Sequence, residues 1–286
     1  MSGVLCLGAA HWDMIARTGH ALPPGADVPG RIRRVPGGVA ANVALGLVAA
    51  GCAAELMAAI GADAEGEALL AALKADGVAC GEVLREGRTG CYLAIERADG
   101  ALHAAVADCV GLEAAAAALG RALAARVHAR ALPCGLVLDG NLPVSVLKDA
   151  LGAPVPAIAL LAASPEKAAS LRGLGLHQGV TLYANLAEAR TICGTPLPDT
   201  IAAAQALRAR GAGAALVTDG PRAACFADST GPVSASPPAA AIRRITGAGD
   251  ALAAAHIAAR LAGLSPQAAL EAALTAAARH LEQIDP

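Results

Sequence analysis

The feature that most constrains the fold is a repeated alternation of short apolar runs with segments of helical length. The apolar runs predict buried strands and lie at 4–8, 54–60, 135–138, 156–161, 180–183 and 214–217. Alanine- and leucine-rich segments between them predict helices, among them 65–76, 112–125, 143–151 and 199–210. Strands that alternate with helices favour a parallel sheet covered on both faces. The sequence therefore predicts an α/β fold with a doubly wound, largely parallel sheet flanked by helices.

Two stretches depart from this alternation. Residues 14–36 are rich in Pro and Gly between strand formers, and residues 90–107 predict two short strands joined by a turn at 98–100. We expect these stretches to form a small β lid. The chain shows neither an internal repeat nor a linker-like stretch, so we expect residues 1–286 to form one domain.

Composition and charge narrow the class of protein. Aromatic residues are almost absent, so the core must be built from Val, Leu, Ile and Ala. A formal net charge of −2 argues against a nucleic-acid surface, which would need a basic face. The eight cysteines are scattered without metal-ligand spacing, which predicts free thiols. No basic region precedes the first apolar run, so we expect no signal peptide and a cytoplasmic protein.

One stretch matches the length of a membrane span. Residues 35–54 carry no charge over twenty positions, but they include Pro36, Asn42 and several glycines, and their apolar residues are mainly Ala and Val. We interpret the stretch as a tightly packed helix preceded by a glycine turn, and we expect no membrane association.

Residues 245–252, Ile-Thr-Gly-Ala-Gly-Asp-Ala-Leu, combine a glycine-rich turn with a helix start. The first turn of a helix presents unpaired N–H groups, and glycine allows close approach of a ligand. Gly247, Ala248 and Gly249 therefore predict an anion site, with phosphate as the commonest anion. Asp250 would repel that anion unless it has a function, and a general base for an attacking alcohol fits. A glycine-rich turn followed by an ordinary Asp fits these residues equally well.

Polar side chains collect at or just beyond the carboxyl ends of the predicted strands, where open α/β sheets bind ligands. They are Asp13, Asn141, Asn185, Glu188 and Thr218. Asn185 and Glu188 are three residues apart at a helix start, so they share a face. Glu188 either caps its own helix or holds magnesium, and the residues alone leave both open.

A second glycine turn, Gly37-Gly38, opens a predicted helix that carries Asn42. Asn42 lies one turn into that helix, where side chains point back toward the glycines, although a polar-face Asn without a ligand is equally compatible. A P-loop sequence is absent, and Gly8-Ala9-Ala10-His11 lacks the dinucleotide fingerprint. These absences argue against a P-loop enzyme and against a nicotinamide oxidoreductase.

Both glycine turns fit a known family. The chain resembles the ribokinase-like (PfkB) carbohydrate and nucleoside kinases over nearly its full length. One signature is 37–44, preceded by Asp13, and the other is 247–251. The Asn185–Glu188 element lies between them, and 218–220 stands where the family has a nucleotide-binding turn. Within the family the chain looks most like the pseudouridine kinases, from the stretches 37–44, 92–95, 105–108, 138–143 and 245–252.

The resemblance implies a role for each matching residue. The ribose hydroxyls would be held by Asp13, Gly37, Gly38 and Asn42, with Asp108 and Asn141 near the acceptor. Asp250 would activate the 5′ hydroxyl while the amides of Gly247, Ala248 and Gly249 stabilise the transferring phosphoryl group. Asn185 and Glu188 would serve the magnesium–phosphate end, and Thr218 and Gly220 the nucleotide. The implied cofactors are ATP and Mg²⁺, with a monovalent cation such as K⁺ as a further candidate.

Several positions depart from the family pattern. His11 stands where many relatives have Asn, Arg244-Ile245 replaces an acidic-Thr pair, and Asp219 is unusual in the nucleotide turn. The short C-terminus and the 244–245 pair leave the adenine and monovalent-cation contacts open.

We therefore expect an ATP-dependent kinase that phosphorylates the 5′ hydroxyl of pseudouridine, with a homodimer formed through the lid. The alternatives are a kinase for ribose, another sugar or a purine nucleoside, and a non-catalytic sugar- or nucleoside-binding protein of the same fold.

Overall fold

The computed structural model describes residues 3–129, 133–244 and 246–283, so Ile245 of the late glycine-rich stretch and the chain ends lie outside the described residues. The strands are β1 (Val4–Leu7), β2 (His11–Arg17), β3 (Arg31–Gly37), β4 (Ala54–Met57), β5 (Ala59–Ile60), β6 (Leu84–Arg85), β7 (Cys91–Glu96), β8 (Leu102–Asp108), β9 (Gly135–Asp139), β10 (Ile158–Leu161), β11 (Val180–Asn185), β12 (Ala214–Asp219), β13 (Arg222–Asp228) and β14 (Gly231–Ala235). The helices are α1 (Val39–Ala49), α2 (Ala64–Ala75), α3 (Val110–Ala114), α4 (Ala116–His128), α5 (Val144–Leu151), α6 (Pro165–Ala168), α7 (Leu186–Cys193), α8 (Thr200–Ala209), α9 (Ala248–Leu261) and α10 (Pro266–Glu282), with a 3₁₀ turn at Ala169–Gly173.

A central eight-stranded sheet has the order β14-β13-β12-β11-β10-β9-β1-β4. The strands from β4 to β12 in this order pair in parallel, whereas β13 and β14 are antiparallel additions at one edge. The predicted doubly wound, largely parallel sheet is confirmed. Its parallel strands bring their carboxyl ends to one edge, which is where such sheets place ligand-binding residues.

Each face of the sheet has its own core because successive strand side chains point to opposite sides. In β1, Leu5 and Leu7 join the core covered by α4, α5, α7 and α8. Val4 and Cys6 join the core covered by α1, α2, α9 and α10. Both faces of β1 are therefore buried, which explains why its sequence is a continuous apolar run rather than an alternating one.

Helices α1 and α9 pack closely enough to position the residues they carry. A Cβ added at Gly46 of α1 would lie 2.6 Å from the Cβ of Ala254 in α9. This contact is one helical turn beyond Asn42 on α1 and one turn beyond Asp250 on α9. The absence of a side chain at position 46 thus permits the spacing that brings these two polar side chains together.

A second, four-stranded sheet has the order β3-β2-β7-β8. It comes from the two stretches in which the sequence predicts a small β lid. β2 pairs antiparallel with β3 and parallel with β7, and β7 pairs antiparallel with β8. The short strands β5 and β6 form a separate parallel pair.

Several predicted boundaries are wrong in detail. The predicted strand 54–60 divides after Met57, because β5 pairs with β6 instead of the central sheet. The predicted helix 112–125 is two helices separated at Ala115, whose ψ of −2° leaves the helical range. Helix α7 begins at Leu186 with Asn185 as its N-cap, in agreement with the helix start expected at Asn185 and Glu188.

Two further findings concern the sequence as a whole. Among the described helices, none combines the length and apolar character needed to cross a bilayer. All eight cysteines are free thiols, two of them buried.

Candidate active site

The start of α9 forms an open anion site. Gly247 is the N-cap residue and adopts a left-handed conformation, with φ of 86°, and no side chain caps the helix. The first backbone N–H groups of α9 are therefore left for a ligand. A Cβ added at Gly249 would have no atom within 4 Å, so there is space beside the turn.

Helix α10 contacts this glycine turn through His280. His280 Nε2 lies 2.8 Å from the carbonyl oxygen of Thr246, which also accepts a hydrogen bond from Arg244 Nε at 3.3 Å. A Cβ at Gly247 would lie 3.1 Å from His280 Nε2. Sequence reasoning missed His280, because its helix carries no motif that would link it to residues 246–249.

Asp250 lies in the first turn of α9 and accepts a hydrogen bond from Asn42 Nδ2 at 2.8 Å. The pKa of Asp250 is raised to about 7, mainly by burial and also by the neighbouring Asp139 and Asp13, whereas Asn42 and His11 oppose the rise. A carboxyl group that titrates near neutrality matches the pKa required of a general base at physiological pH. The structure therefore brings the two glycine-signature regions to one place.

Gly37 and Gly38 make room for Asp13 at the start of α1. A Cβ at Gly37 would lie 2.1 Å from Asp13 Oδ1, so the carboxylate occupies the space of a missing side chain. Gly38 has φ of 95°, and a Cβ there would lie 2.4 Å from the carbonyl oxygen of Ala9. A larger residue at position 37 would displace the Asp13 carboxylate, and one at position 38 would require movement of the backbone.

Asp13 follows the end of β1, but it lies within a strand of the small sheet rather than in a loop. The chain leaves the central sheet after β1, and Asp13 lies within β2 of the small sheet. The residue is 2% exposed, and its Oδ1 lies 3.1 Å from His11 Nδ1. Among the described residues His11 is the group that faces this oxygen, and a carboxylate oxygen has a second lone pair that can accept a hydrogen bond from a ligand hydroxyl.

Asp139, at the end of β9, is a buried carboxylate that sequence reasoning passed over. It accepts hydrogen bonds from the Ala9 amide at 2.9 Å, the Asn141 amide at 2.8 Å and Asn141 Nδ2 at 2.9 Å. Burial raises its pKa. The side chain of Asn141 thus contacts Asp139. The sequence signal for this residue is that the otherwise apolar strand β9 ends in an acidic residue.

Asn185 and Glu188 form a reciprocal capping box on α7. Asn185 Oδ1 accepts from the Glu188 amide at 2.9 Å, and Glu188 Oε2 accepts from the Asn185 amide at 2.8 Å. Burial raises the pKa of Glu188 to about 7, and the nearby Glu166 adds to the rise. Glu188 therefore caps its own helix, as one of the two interpretations predicted. Its buried carboxylate lies near Glu166, and such a pair of acids also suits a cation.

The nucleotide turn lies beside this capping box. Thr218 of β12 is the direct register partner of Asn185 on β11, so both reach the same edge of the sheet. Gly220 has a positive φ of 57° in the turn that follows. Asp219 accepts two hydrogen bonds from Arg222, at 2.6 and 2.8 Å, and this pairing lowers its pKa.

Asp108 lies apart from the other candidate residues. Its carboxylate pairs with Arg88, and the Asp108 side chain is 41% exposed. None of the contacts found in the described residues joins it to Asp13, Asn42 or Asp250. Its register partner on β7 is Cys91, which pairs in turn with Trp12 of β2, so Asp108 lies on the edge strand β8 in the row next to Asp13.

The sequence profile of the pfkB family of carbohydrate kinases matches residues 1–284. The chain belongs to the PfkB family of carbohydrate kinases. Membership makes this PfkB-family protein a phosphotransferase with an alcohol group as acceptor. None of the curated proteins matches it.

Solved structures agree with this assignment. A carbohydrate kinase from Agrobacterium tumefaciens is 31% identical, with a TM-score of 0.79 over 97% of this chain and 90% of that one. Adenosine kinase from Sinorhizobium meliloti shares the fold at 21% identity, with a TM-score of 0.79 over 99% and 94%. Arabidopsis thaliana ribokinase complexed with ribose and ATP does so at 20% identity, with a TM-score of 0.76 over 99% and 94%.

Proposed function

We propose that this PfkB-family kinase transfers the γ-phosphoryl group of ATP to the 5′ hydroxyl of pseudouridine. The observation that carries the proposal is the hydrogen bond between Asn42 and Asp250 beside the uncapped start of α9. It places a carboxylate with a pKa near neutrality next to a site for phosphate. That combination suits transfer of a phosphoryl group to an alcohol.

The acceptor would lie between the small sheet and α1. Asp13 offers a buried carboxylate oxygen that His11 faces and that can still accept a hydrogen bond from a hydroxyl, and the starts of α1 and α9 have no side-chain caps. Ribose presents adjacent hydroxyls that can donate to Asp13. Asn42, held by Asp250, would contact the same sugar, and Gly37 leaves the space that the Asp13 carboxylate occupies.

The reaction then needs one proton transfer. Asp250 accepts the proton of the 5′ hydroxyl as that oxygen forms a bond to the γ-phosphorus, and the bond from this phosphorus to the bridging oxygen of ADP breaks. The amides of Gly247, Ala248 and Gly249 stabilise the charge on the transferring group. Such a transfer depends mainly on alignment of the reacting groups. The glycine turn that precedes α9, which His280 of α10 contacts, would supply that alignment.

Magnesium would be held at the nucleotide end of the site. Described residues contain no cluster of three or more acidic, His or Cys side chains suited to a metal, so substrate phosphates and water would supply most ligands. Glu188 fits as the protein carboxylate, because it is buried, its described hydrogen bond comes from the Asn185 amide rather than from a cationic side chain, and Glu166 contributes to its raised pKa. Asn185 and Thr218 lie beside it. Bound magnesium would neutralise phosphate charge. A monovalent cation such as K⁺ remains a further candidate.

The small sheet would act as the lid over the acceptor and as a dimer interface. Leu93 and Val106 are register partners on β7 and β8, exposed by 40% and 65%, and Ile32 on β3 is 70% exposed. Apolar side chains on one small sheet favour pairing with a second copy. We place this homodimer in the cytoplasm, where the free cysteines would stay reduced.

A panel of acceptors tests the substrate. ADP release is measured with pseudouridine, uridine, adenosine, ribose and fructose at equal concentration. The proposal predicts the highest kcat/KM for pseudouridine. Preference for free ribose or adenosine would move the function to the ribokinase or adenosine kinase alternative, since both activities occur in structural relatives. Binding of an acceptor without any turnover would instead support a non-catalytic binding protein.

A further inference from the structure

Three carboxylates share the acceptor end of the site. Asp13 and Asp139 both raise the pKa of Asp250, which shows that the three groups lie within electrostatic reach of one another. Asp13 is 2% exposed and Asp139 is fully buried. Like charges held together in a partly desolvated site disfavour ionisation, so an acceptor site of this kind needs a compensating positive charge.

His11 lies where it can provide that charge. It is two residues before Asp13 on β2, so both side chains are on the same face of the strand. His11 Nδ1 lies 3.1 Å from Asp13 Oδ1, and the His11 side chain is 13% exposed. Burial lowers the pKa of His11, but its contacts with Asp13 and Cys109 outweigh burial and raise the pKa to about 10. The imidazole is therefore cationic at neutral pH.

The other titratable groups around His11 carry no positive charge. Tyr92 lies beside it on β7, with ring centroids 6.4 Å apart, and Cys109 contacts it from the end of β8. On the side of the central sheet, His11 interacts electrostatically with Asp139 and Asp250, and it lowers the pKa of both carboxyls. Arg88, near the same end of β8, pairs with Asp108 instead.

We propose that His11 is the counter-ion of the acceptor site, a positioning residue that pairs with Asp13 and supplies the positive charge facing the three carboxylates. The inference rests on the proposed function, because it assigns the sugar hydroxyls to Asp13. It adds a residue that belongs to neither glycine signature. It also predicts that the site selects acceptors with adjacent hydroxyl donors and disfavours anionic sugars, since the three carboxylates outnumber the single imidazolium.

The first test measures the ion pair without any activity. NMR titration of the imidazole resonances is recorded for the wild type, Asp13→Asn and His103→Asn, the last being an exposed histidine of the same small sheet. We expect His11 to stay protonated at about pH 8 in the wild type and to lose that protonation at lower pH in Asp13→Asn. Titration of His11 in the wild type near its ordinary pKa of 6.5 would overturn the proposal.

The second test measures steady-state kinetics of His11→Asn, with His103→Asn as the matched control. We expect the acceptor KM to rise about tenfold or more, the scale of one lost charge-assisted contact, with the KM for ATP unchanged. The acid limb of the kcat profile should move to higher pH. A folded His11→Asn protein with wild-type acceptor KM and pH profile would contradict the proposal. If NMR shows the ion pair but no nucleoside or sugar is phosphorylated, the proposed function fails while the charge pairing stands.

Discussion

Asn42 Nδ2 donates a 2.8 Å hydrogen bond to Asp250 Oδ2, and this bond joins residues 208 positions apart in the chain. Each residue belongs to a different glycine-rich helix start, on α1 and α9. The bond favours the ionised form of Asp250, which burial and neighbouring acids disfavour. This hydrogen bond therefore joins the start of α1, which the proposed function assigns to the acceptor, to the start of α9, which it assigns to the phosphate.

Replacement of Asn42 should change the pH dependence of turnover. Asp250 acts as a base only when ionised, so kcat falls as pH decreases through its pKa of about 7. Asn42→Ala removes a bond that lowers this pKa, so the acid limb of kcat should move to higher pH. Steady-state assays across pH test this, with the exposed Gln205→Ala on α8 as control. An acid limb unchanged in Asn42→Ala would show that the bond does not tune the base.

The stability of the protein should report the raised pKa of Asp250. Between the ordinary pKa of an aspartate, 3.8, and about 7, the folded state holds a proton that the unfolded chain releases. Stability contributed by this group is therefore lost as pH rises through that window. Asp250→Asn should raise Tm relative to the wild type at about pH 8, and the difference should shrink toward about pH 5. Equal Tm values for both proteins at each pH would contradict the raised pKa.

The packing of α1 against α9 should be sensitive to one methyl group. Gly46→Ala places a Cβ 2.6 Å from that of Ala254, so it should lower the free energy of unfolding by about 1–3 kcal/mol. Turnover should fall as well, because the same helices carry Asn42 and Asp250. Urea unfolding and kcat measurements test both effects.

Gly120→Ala is the matched control for that substitution. Gly120 lies inside α4, and a Cβ there would have no atom within 4 Å. The change should raise the free energy of unfolding by about 0.5–1 kcal/mol through helix propensity alone. If Gly46→Ala is as stable and as active as Gly120→Ala, the close approach of α1 and α9 has no role in positioning the site.

The sequence predicted the fold class and the two glycine turns because local patterns specify them. Apolar runs of strand length, each followed by a helix, leave few topologies other than a parallel sheet. Glycines 37, 38 and 247 mark helix starts without side-chain caps. These features depend on neighbouring residues, so they can be read along the chain.

Other parts of the site could not be predicted because they depend on distant contacts. The placement of Asp13 in the small sheet follows from pairing between β2 and β7, which no local pattern specifies. His280 reaches Thr246 from a helix 34 residues away. Asp139 was overlooked in favour of Asn141, although the contact between them shows that the buried acid organises the strand end.

A substitution at Glu188 can separate its structural role as a helix cap from its proposed role as a magnesium ligand. Glu188→Gln retains an acceptor for the capping box, so Tm should change little at about pH 5 and should rise at about pH 8, where the wild-type carboxylate is buried in its ionised form. Loss of the charge should raise the KM for MgATP by about tenfold, the scale of one charged ligand, with the acceptor KM unchanged. Glu86→Gln, on an exposed loop, is the control. Wild-type dependence on magnesium in Glu188→Gln would assign Glu188 to the helix cap alone.

The account depends most on Asp250 as the base that deprotonates the acceptor. The direct measurement is single-turnover phosphoryl transfer from ATP to pseudouridine by Asp250→Asn, with calorimetric binding of pseudouridine to the same protein. We predict a rate loss of about a hundredfold or more, the scale of general-base removal, with acceptor affinity largely retained. A rate close to that of the wild type would contradict the assignment of Asp250.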